Sequence, residues 1–212
     1  MLDRKGFDLW ADGYDQAVGI SDTENTYPFA GYREVLGRIF KIVMERPEAA
    51  VLDIGFGTGT LTAKLYENGC TVYGQDFSSE MICLASVKMP GAYLYQGDFS
   101  QGLAAPLLHE RYDFIVATYS LHHLTDARKI PFLRLLRDRL KENGRIMIGD
   151  VAFETRRDLE LCRLQAGDDW DGEEYYFVAD EMKRDFPDMG FTKVSYCAGI
   201  LTLPRPCEGA GC

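Results

Sequence analysis

The amino-acid sequence predicts a single α/β domain built around a doubly wound, mostly parallel β-sheet. Short apolar runs, which are typical of buried strands, alternate with segments of helical periodicity, and this is the pattern of βαβ units. A glycine-rich segment at 55–59 joins the first apolar run to the helical segment that follows. With 212 residues, 46% of them apolar, the chain is long enough to bury one core and too short for two full domains.

Two helical segments precede the first predicted strand. The first, Phe7–Ala17, is polar and aromatic. In the second, Tyr32–Val43, apolar residues recur with the spacing of an amphipathic helix, and Pro47 closes the segment. We therefore expect an N-terminal helical cap over residues 1–46, a doubly wound core over 47–204 and a short tail over 205–212.

The core is expected to alternate between strands and helices. The predicted strands are Ala49–Ile54, Thr71–Gln75, Ala92–Gln96, Phe114–Thr118 and Arg145–Gly149. The predicted helices are Thr58–Asn68, Ser79–Lys88, Lys129–Lys141, Thr155–Ala166 and Asp180–Phe186. Near the end of the chain, two apolar segments, Val194–Ala198 and Ile200–Leu203, are separated only by Gly199. Because so short a gap permits only a hairpin, we expect the last strand to run antiparallel.

The charge balance of the chain excludes some classes of partner. It carries 33 acidic and 23 basic residues, a formal net charge of -10, which disfavours binding to nucleic acids or to anionic membrane surfaces. No run approaches the roughly 18 apolar residues of a membrane helix, and Met1–Lys5 lacks the features of a signal peptide. We expect a cytoplasmic protein with no nucleic-acid or membrane partner, either a monomer or a homodimer.

The cysteines point to free thiols in a reducing compartment. None of them has the short spacing of a zinc-binding pair, so no metal site is expected, although a site in the C-terminal tail stays open. The six are Cys70, Cys83, Cys162, Cys197, Cys207 and Cys212.

The glycine-rich segment Gly55-Phe56-Gly57-Thr58-Gly59 lies between a predicted strand and a predicted helix. Glycine lets the backbone turn sharply and lets a ligand approach it closely, so this loop is a predicted binding loop. A tight strand–helix turn without a ligand is the alternative interpretation.

Three carboxylates follow or end the first three predicted strands: Asp53, Asp76 and Asp98. Ligands of open α/β sheets bind at the carboxyl ends of the strands, so we expect these side chains to share one site. Asp76, 19 residues after Gly57, is placed to accept hydrogen bonds from both hydroxyls of a ribose. Asp98 suits an amine such as the exocyclic nitrogen of adenine. Each aspartate taken alone could instead be a cap or a turn residue.

Charge and spacing separate two classes of cofactor. A pyrophosphate needs bare N–H groups without a nearby anion, yet Asp53 stands directly before the loop, whose glycine spacing also differs from the dinucleotide fingerprint. An acid at this place favours a cationic ligand. S-adenosylmethionine has a sulfonium, an ammonium, a ribose and an adenine, and no phosphate, so it fits the three acids.

Several segments together resemble one known family. They are Phe7–Asp15, Asp53–Gly59, Tyr73–Ser78, Gly97–Phe99, Tyr112–Leu124 and Leu140–Ile148. In these segments the chain resembles class I S-adenosylmethionine-dependent methyltransferases, in particular small bacterial members of unassigned substrate that act on small molecules. The resemblance covers nearly the whole chain and implies a Rossmann-like fold, S-adenosylmethionine as cofactor and methyl transfer to an acceptor.

The resemblance also implies which residues form the cofactor site. The ammonium would be oriented by Asp53, directly or through water, while Tyr14 and Tyr27 would cap the cofactor or simply pack the N-terminal helices. The implied set is Asp53, Gly55, Gly57, Gly59, Asp76, Phe77, Met81, Asp98, Phe99, Ala117, Tyr14 and Tyr27.

Candidates for catalysis are few. His122 and His123 follow the fourth predicted strand and Tyr119 lies just before them; histidine titrates in the range useful for a general base. The His-His pair is also common in the family as part of a turn. The segment Ala117–Ser120 lacks the Asn/Asp-Pro-Pro-Tyr/Phe motif of many amino-methylating members, so the expected acceptor is a small molecule. A non-catalytic sensor of S-adenosylmethionine is the main alternative, and a nicotinamide oxidoreductase is disfavoured.

The stretch Asp168–Phe177 combines five acids with aromatic residues. We hypothesise that it forms a lid over the acceptor and favours a cationic one. A solvated loop is the alternative.

Overall fold

The computed structural model describes residues 25–206. The expected helix Phe7–Ala17, Tyr14 and the tail cysteines Cys207 and Cys212 lie outside these residues. The expected α/β fold with a mostly parallel sheet and an antiparallel C-terminal strand is confirmed. None of the helices within the described part reaches the length and apolarity that a membrane crossing requires.

The sheet has the strand order β3-β2-β1-β4-β5-β8-β7, with a two-residue β6 beside the end of β5. Its strands are β1 Ala50–Ile54, β2 Thr71–Asp76, β3 Tyr93–Gln96, β4 Tyr112–Thr118, β5 Leu140–Phe153, β6 Phe177–Val178, β7 Gly190–Lys193 and β8 Ala198–Pro204. Along this order, the five strands β3, β2, β1, β4 and β5 are parallel, whereas β8 runs antiparallel to both of its neighbours. The order reverses between β1 and β4, which makes the carboxyl ends of these strands a topological switch point.

Helices cover both faces of the sheet. They are α1 Tyr32–Val43, α2 Thr62–Glu67, α3 Ser79–Lys88, α4 Asp126–Arg137, α5 Arg156–Ala166 and α6 Ala179–Met182. Because strand side chains alternate between the faces, Phe114 and Val116 of β4 join the core that contains α1, whereas Ile115 joins the core that contains α4. The sheet is therefore doubly wound, as the sequence predicted.

The helix predicted over Thr58–Asn68 is shorter than expected. It begins at Thr62 because the chain is still turning at Gly59, whose φ is +79°, and whose N–H donates to the Phe56 carbonyl at 2.9 Å. The helix predicted from Lys129 begins earlier, at Asp126, directly after Thr125.

The predicted hairpin exists, but its first strand is wrong by about four residues. The strand is Gly190–Lys193, and the residues predicted as its centre form the turn before Ala198. Gly199 is not in the turn: it pairs with Lys193 inside β8. A Cβ at Gly199 would lie 2.4 Å from the Phe191 ring, so this glycine serves close packing and not chain reversal.

Candidate functional site

A cavity of about 1080 Å³ opens at the carboxyl ends of β1, β2 and β4. Most residues that the sequence predicted for the site line it: Tyr27, Gly55, Gly57, Asp76, Phe77, Met81, Asp98, Phe99, Tyr119, His122 and His123. Asp53, Gly59 and Ala117 do not line it. The cavity has two sides, which we call the loop wall (Gly55, Gly57, Asp76, Asp98 and Phe99) and the histidine wall (Tyr119, His122, His123, Glu174 and Tyr176).

The glycine loop needs its glycines for different reasons. Gly55, Gly57 and Gly59 all have positive φ, at +69°, +56° and +79°. A Cβ at Gly55 would lie 2.5 Å from the Cβ of Ser120, whereas a Cβ at Gly57 would have no neighbour within 4 Å. Gly59 lies against Met89 instead. Gly55 thus lets the loop pack against the chain after β4, and Gly57 leaves the loop backbone open to the cavity.

Asp76 ties the glycine loop to the end of β2. One carboxylate oxygen accepts a hydrogen bond from the Gly57 N–H at 2.9 Å, and the other accepts one from the Ser78 N–H at 2.9 Å. Asp76 is only 6% exposed, yet it lines the cavity. The side chain thus fixes the loop to the strand end and also presents a carboxylate, an acceptor-only group, to the cavity.

Asp53 lies behind the loop and not at its mouth. It is 1% exposed and accepts a hydrogen bond from the Thr62 hydroxyl at the start of α2. Its other oxygen, Oδ1, has no hydrogen-bond partner within residues 25–206. Burial, helped by the nearby charge of Asp76, raises the pKa of Asp53 to about 7. The carboxylate expected to face a cationic ligand is therefore placed in the core, where it positions Thr62.

The buried Asp53 predicts a pH dependence of stability. Its pKa is about 7 in the folded chain against an ordinary 3.8, so folding favours the protonated carboxyl and this contribution is lost as the pH rises between these values. Replacing Asp53 with Asn removes the titration. We expect the difference in free energy of unfolding, variant minus wild type, to increase by about 2–3 kcal/mol from pH 5 to pH 8. Urea unfolding at both values measures this, and a constant difference would contradict it.

Asp98 and Phe99 complete the loop wall on the side of β3. Asp98 is exposed, and its carboxylate accepts a hydrogen bond from the Ser100 N–H at 2.8 Å. Phe99 is 8% exposed and lies beside Gly55. Phe77 and the buried Met81 line the cavity near Asp76. Apolar faces and carboxylates thus alternate along this wall, which suits a ligand with a flat ring and hydroxyl or amine donors.

On the histidine wall each histidine is held by a carboxylate. His122 Nδ1 lies 2.6 Å from Asp150 Oδ1, and Asp150 is fully buried within the second half of β5. His123 Nδ1 lies 2.9 and 3.0 Å from the two oxygens of Glu174. Burial alone would lower the pKa of His122, but the Asp150 carboxylate outweighs it and the pKa is raised. Burial likewise opposes the charge of Glu174, but His123 outweighs it and lowers the pKa of that carboxyl.

The acidic segment that the sequence analysis interpreted as a lid borders the histidine wall. Asp169, Asp171 and Glu174 line the cavity. Trp170 stacks on Tyr27 with ring centroids 5.2 Å apart, and the Asp171 N–H donates to the Tyr27 hydroxyl at 3.2 Å. Tyr27 of the N-terminal segment is therefore one residue to which this stretch is attached.

Sequence reasoning missed several residues of the histidine wall. Asp150 directly follows the predicted strand Arg145–Gly149, so the strand-end rule that located Asp76 could have found it, although β5 itself continues to Phe153. Glu174 lies in the predicted lid, but no local signal indicates its contact with His123, which joins positions 51 residues apart. Tyr176 lines the cavity and is hydrogen-bonded to the Tyr27 hydroxyl.

Comparison with known proteins adds a family to this geometry. A family model described as a methyltransferase domain matches residues 13–196. An uncharacterized methyltransferase of Geobacillus sp. (strain WCH70) is 38% identical over 195 residues, which are 88% of this chain and 88% of that protein.

Two solved structures share the fold. DhpI in complex with S-adenosylhomocysteine has a TM-score of 0.70 at 18% identity, covering 96% of this chain and 94% of that one. The magnesium protoporphyrin IX methyltransferase of Synechocystis PCC 6803, also with bound S-adenosylhomocysteine, has a TM-score of 0.66 at 19% identity, covering 84% and 85%.

Proposed function

The chain belongs to the methyltransferase domain family, and on that premise we propose that it transfers a methyl group from S-adenosylmethionine to a small-molecule acceptor. The observation that carries this proposal is the bond from the Gly57 N–H to Asp76 at the cavity wall. That amide is of the kind that holds a pyrophosphate in dinucleotide sites, but here a carboxylate already occupies it. The arrangement favours a ligand that offers donors and positive charge.

The residues of the loop wall fit the cofactor. Asp76 places a carboxylate on the cavity wall where it can accept hydrogen bonds from ribose hydroxyls, and Phe99 and Met81 provide apolar surface for the adenine. Asp98, exposed at the rim of the cavity, accepts a hydrogen bond from the exocyclic amine of the adenine. The open space beside Gly57 leaves room for the methionine part to approach the backbone.

Bound S-adenosylmethionine supplies a methyl group that its sulfonium already activates. The work left to the chain is to align the acceptor with that methyl and to exclude water, and alignment of this kind can contribute up to about 7–11 kcal/mol. Tyr119, Tyr176 and Tyr27 also line the cavity, and all three are buried or half-buried. They restrict the acceptor to the space between the two walls, which suits a small molecule.

Turnover tests this proposal. Purified protein would be incubated with methyl-labelled S-adenosylmethionine and either a panel of hydroxyl, amine and thiol compounds or a bacterial metabolite extract. We expect S-adenosylhomocysteine to form in proportion to the label that appears in a small product. Tight binding of the cofactor with no transfer in either mixture would contradict the proposal and favour a non-catalytic sensor.

For the acceptor identified in this way, the acids of the lid predict a charge effect. Changing Asp169 and Asp171 to Asn removes two charges from the cavity rim. If each exposed charge contributes about 0.5–1 kcal/mol to a cationic acceptor, the KM of that acceptor should rise about 5- to 30-fold, with unchanged affinity for S-adenosylhomocysteine.

The matched control changes Asp168 and Glu173, which are exposed but do not line the cavity. This variant should leave the KM of the acceptor as it is in wild type. Equal KM values for both double variants and wild type would contradict a lid that recognises charge.

A further inference from the structure

We propose that His122, His123 and Glu174 form a binding site for one divalent transition-metal ion on the histidine wall of the cavity. The spacing of the cysteines predicted no metal site, whereas this site is assembled from two segments whose residues lie 51 positions apart in the chain. This site deepens the proposed function. Only the role of the ion, which would be to bind the methyl acceptor, rests on that function.

The donor atoms are already close together. One ligand atom from each of the three residues lies within 4.8 Å of the other two. Ligands bonded at about 2.1 Å to one ion lie at most about 4.2 Å apart. Side-chain rotations that move these atoms by less than about 1 Å would therefore enclose an ion.

The second shell is the feature that distinguishes this cluster from a chance contact. Metal-binding histidines usually donate their other ring N–H to a carboxylate, which fixes the ring and the tautomer. The Nδ1 of His122 lies 2.6 Å from Asp150 Oδ1, and that same oxygen is held by the Val151 N–H at 2.8 Å. With Nδ1 engaged in this way, the lone pair of His122 Nε2 is left for an ion.

The segment that carries Glu174 is fixed beside the histidines. The Tyr175 N–H donates to the His122 carbonyl at 2.9 Å, and the ammonium of Lys129 donates to the Tyr175 carbonyl. Lys129 is fully buried and also bonds to Asp126 at 2.9 Å. These contacts hold Glu174 in place without using its carboxylate.

The donor set indicates the kind of ion. Two imidazoles and one carboxylate suit Zn²⁺, Fe²⁺, Co²⁺ or Ni²⁺ better than Mg²⁺ or Ca²⁺, which prefer oxygen ligands alone. Three protein ligands leave at least one coordination position open, as in catalytic zinc sites. All three residues line the cavity, so the open position faces the acceptor space. The acceptor class would be a compound with an oxygen or sulfur donor that can bind the ion.

Metal titration of untagged, chelator-treated full-length protein tests the site. Co²⁺ is the spectroscopic probe and Zn²⁺ the calorimetric one. We expect one ion per chain, with a visible ligand-field spectrum for Co²⁺ that Zn²⁺ displaces. His123→Ala and Glu174→Gln should each weaken the binding at least 10-fold, and Asp150→Asn should weaken it about 10- to 100-fold through His122. His109→Ala, which changes an exposed histidine away from the cavity, should leave it unchanged.

Affinity for S-adenosylhomocysteine, measured in the same metal-free samples, separates this inference from the proposed function, because the loop wall contains none of the three ligands. Absence of one-to-one binding of Co²⁺ or Zn²⁺ to wild type would overturn the site even if the cofactor binds normally. Binding that survives both His123→Ala and Glu174→Gln would overturn it as well. In the first case, loss of turnover in His122→Ala with chelator present would identify His122 and Asp150 as a proton-carrying pair instead.

Discussion

Replacing Asp76 with Ala is expected to weaken the binding of S-adenosylhomocysteine at least 100-fold. The carboxylate accepts hydrogen bonds from the Gly57 and Ser78 N–H groups at 2.9 Å and is proposed to accept further hydrogen bonds from the ribose hydroxyls. Hydrogen bonds to a charged group contribute about 1.5–3 kcal/mol each, and the loss of two from the ligand corresponds to about 3–6 kcal/mol. Each 1.4 kcal/mol is about tenfold in affinity.

Isothermal titration of wild type and variant measures this loss. Asp76→Asn keeps one acceptor oxygen, so its affinity for S-adenosylhomocysteine should lie between those of wild type and Asp76→Ala. Asp185→Asn serves as the control, since Asp185 pairs with Arg134 on the surface, at 2.9 Å. The affinity of this variant for S-adenosylhomocysteine should equal that of wild type. An Asp76→Ala variant that is folded and binds within twofold of wild type would show that the ribose is not held at this strand end.

Gly55→Ala is expected to lower the free energy of unfolding by about 2–5 kcal/mol. A side chain at its φ of +69° costs about 1–2 kcal/mol, and overpacking adds about 1–3 kcal/mol. The new Cβ would lie 2.5 Å from the Cβ of Ser120. Ser120 cannot move away freely, because its buried hydroxyl donates to the Ile54 carbonyl at 2.7 Å.

Gly57→Ala is the matched comparison, since it has a similar φ of +56° and open space around its Cβ position. This substitution should lower the free energy of unfolding only by the cost of a side chain at positive φ, about 1–2 kcal/mol. Its methyl group enters the cavity and should lower the affinity for S-adenosylhomocysteine. Urea unfolding of both variants gives the two free energies. Equal destabilisation by the two substitutions would contradict the contact between the loop and Ser120.

The parts of the fold that follow from local chemistry could be predicted from the sequence. The helix Ser79–Lys88 has the predicted bounds, because the Ser78 side chain caps it by accepting from the Met81 N–H. The helix Tyr32–Val43 covers the predicted apolar periodicity and ends before Pro47. The hairpin bounds could not be predicted in the same way. A glycine between two apolar runs is typical of a turn, but at Gly199 the ring of Phe191 is what excludes a side chain.

The two walls of the site differ in the same respect. Gly55, Gly57 and Asp76 could be located from the sequence because consecutive parallel strands bring their carboxyl ends to one edge. The position of Asp53 follows the same rule in sequence, yet both faces of β1 are covered there, so its side chain is buried. Which carboxylate pairs with which histidine depends on packing across 28 and 51 residues, and no local pattern encodes these pairings.

The loop wall is proposed to hold S-adenosylmethionine and not a dinucleotide. Calorimetric titration of cofactor-stripped protein with S-adenosylhomocysteine and, separately, with NAD⁺ decides between the two classes of cofactor. We predict saturable binding of one S-adenosylhomocysteine per chain and no heat of binding for NAD⁺. Saturable binding of NAD⁺ together with no response to S-adenosylhomocysteine would contradict the assignment of Asp76 and the glycine loop.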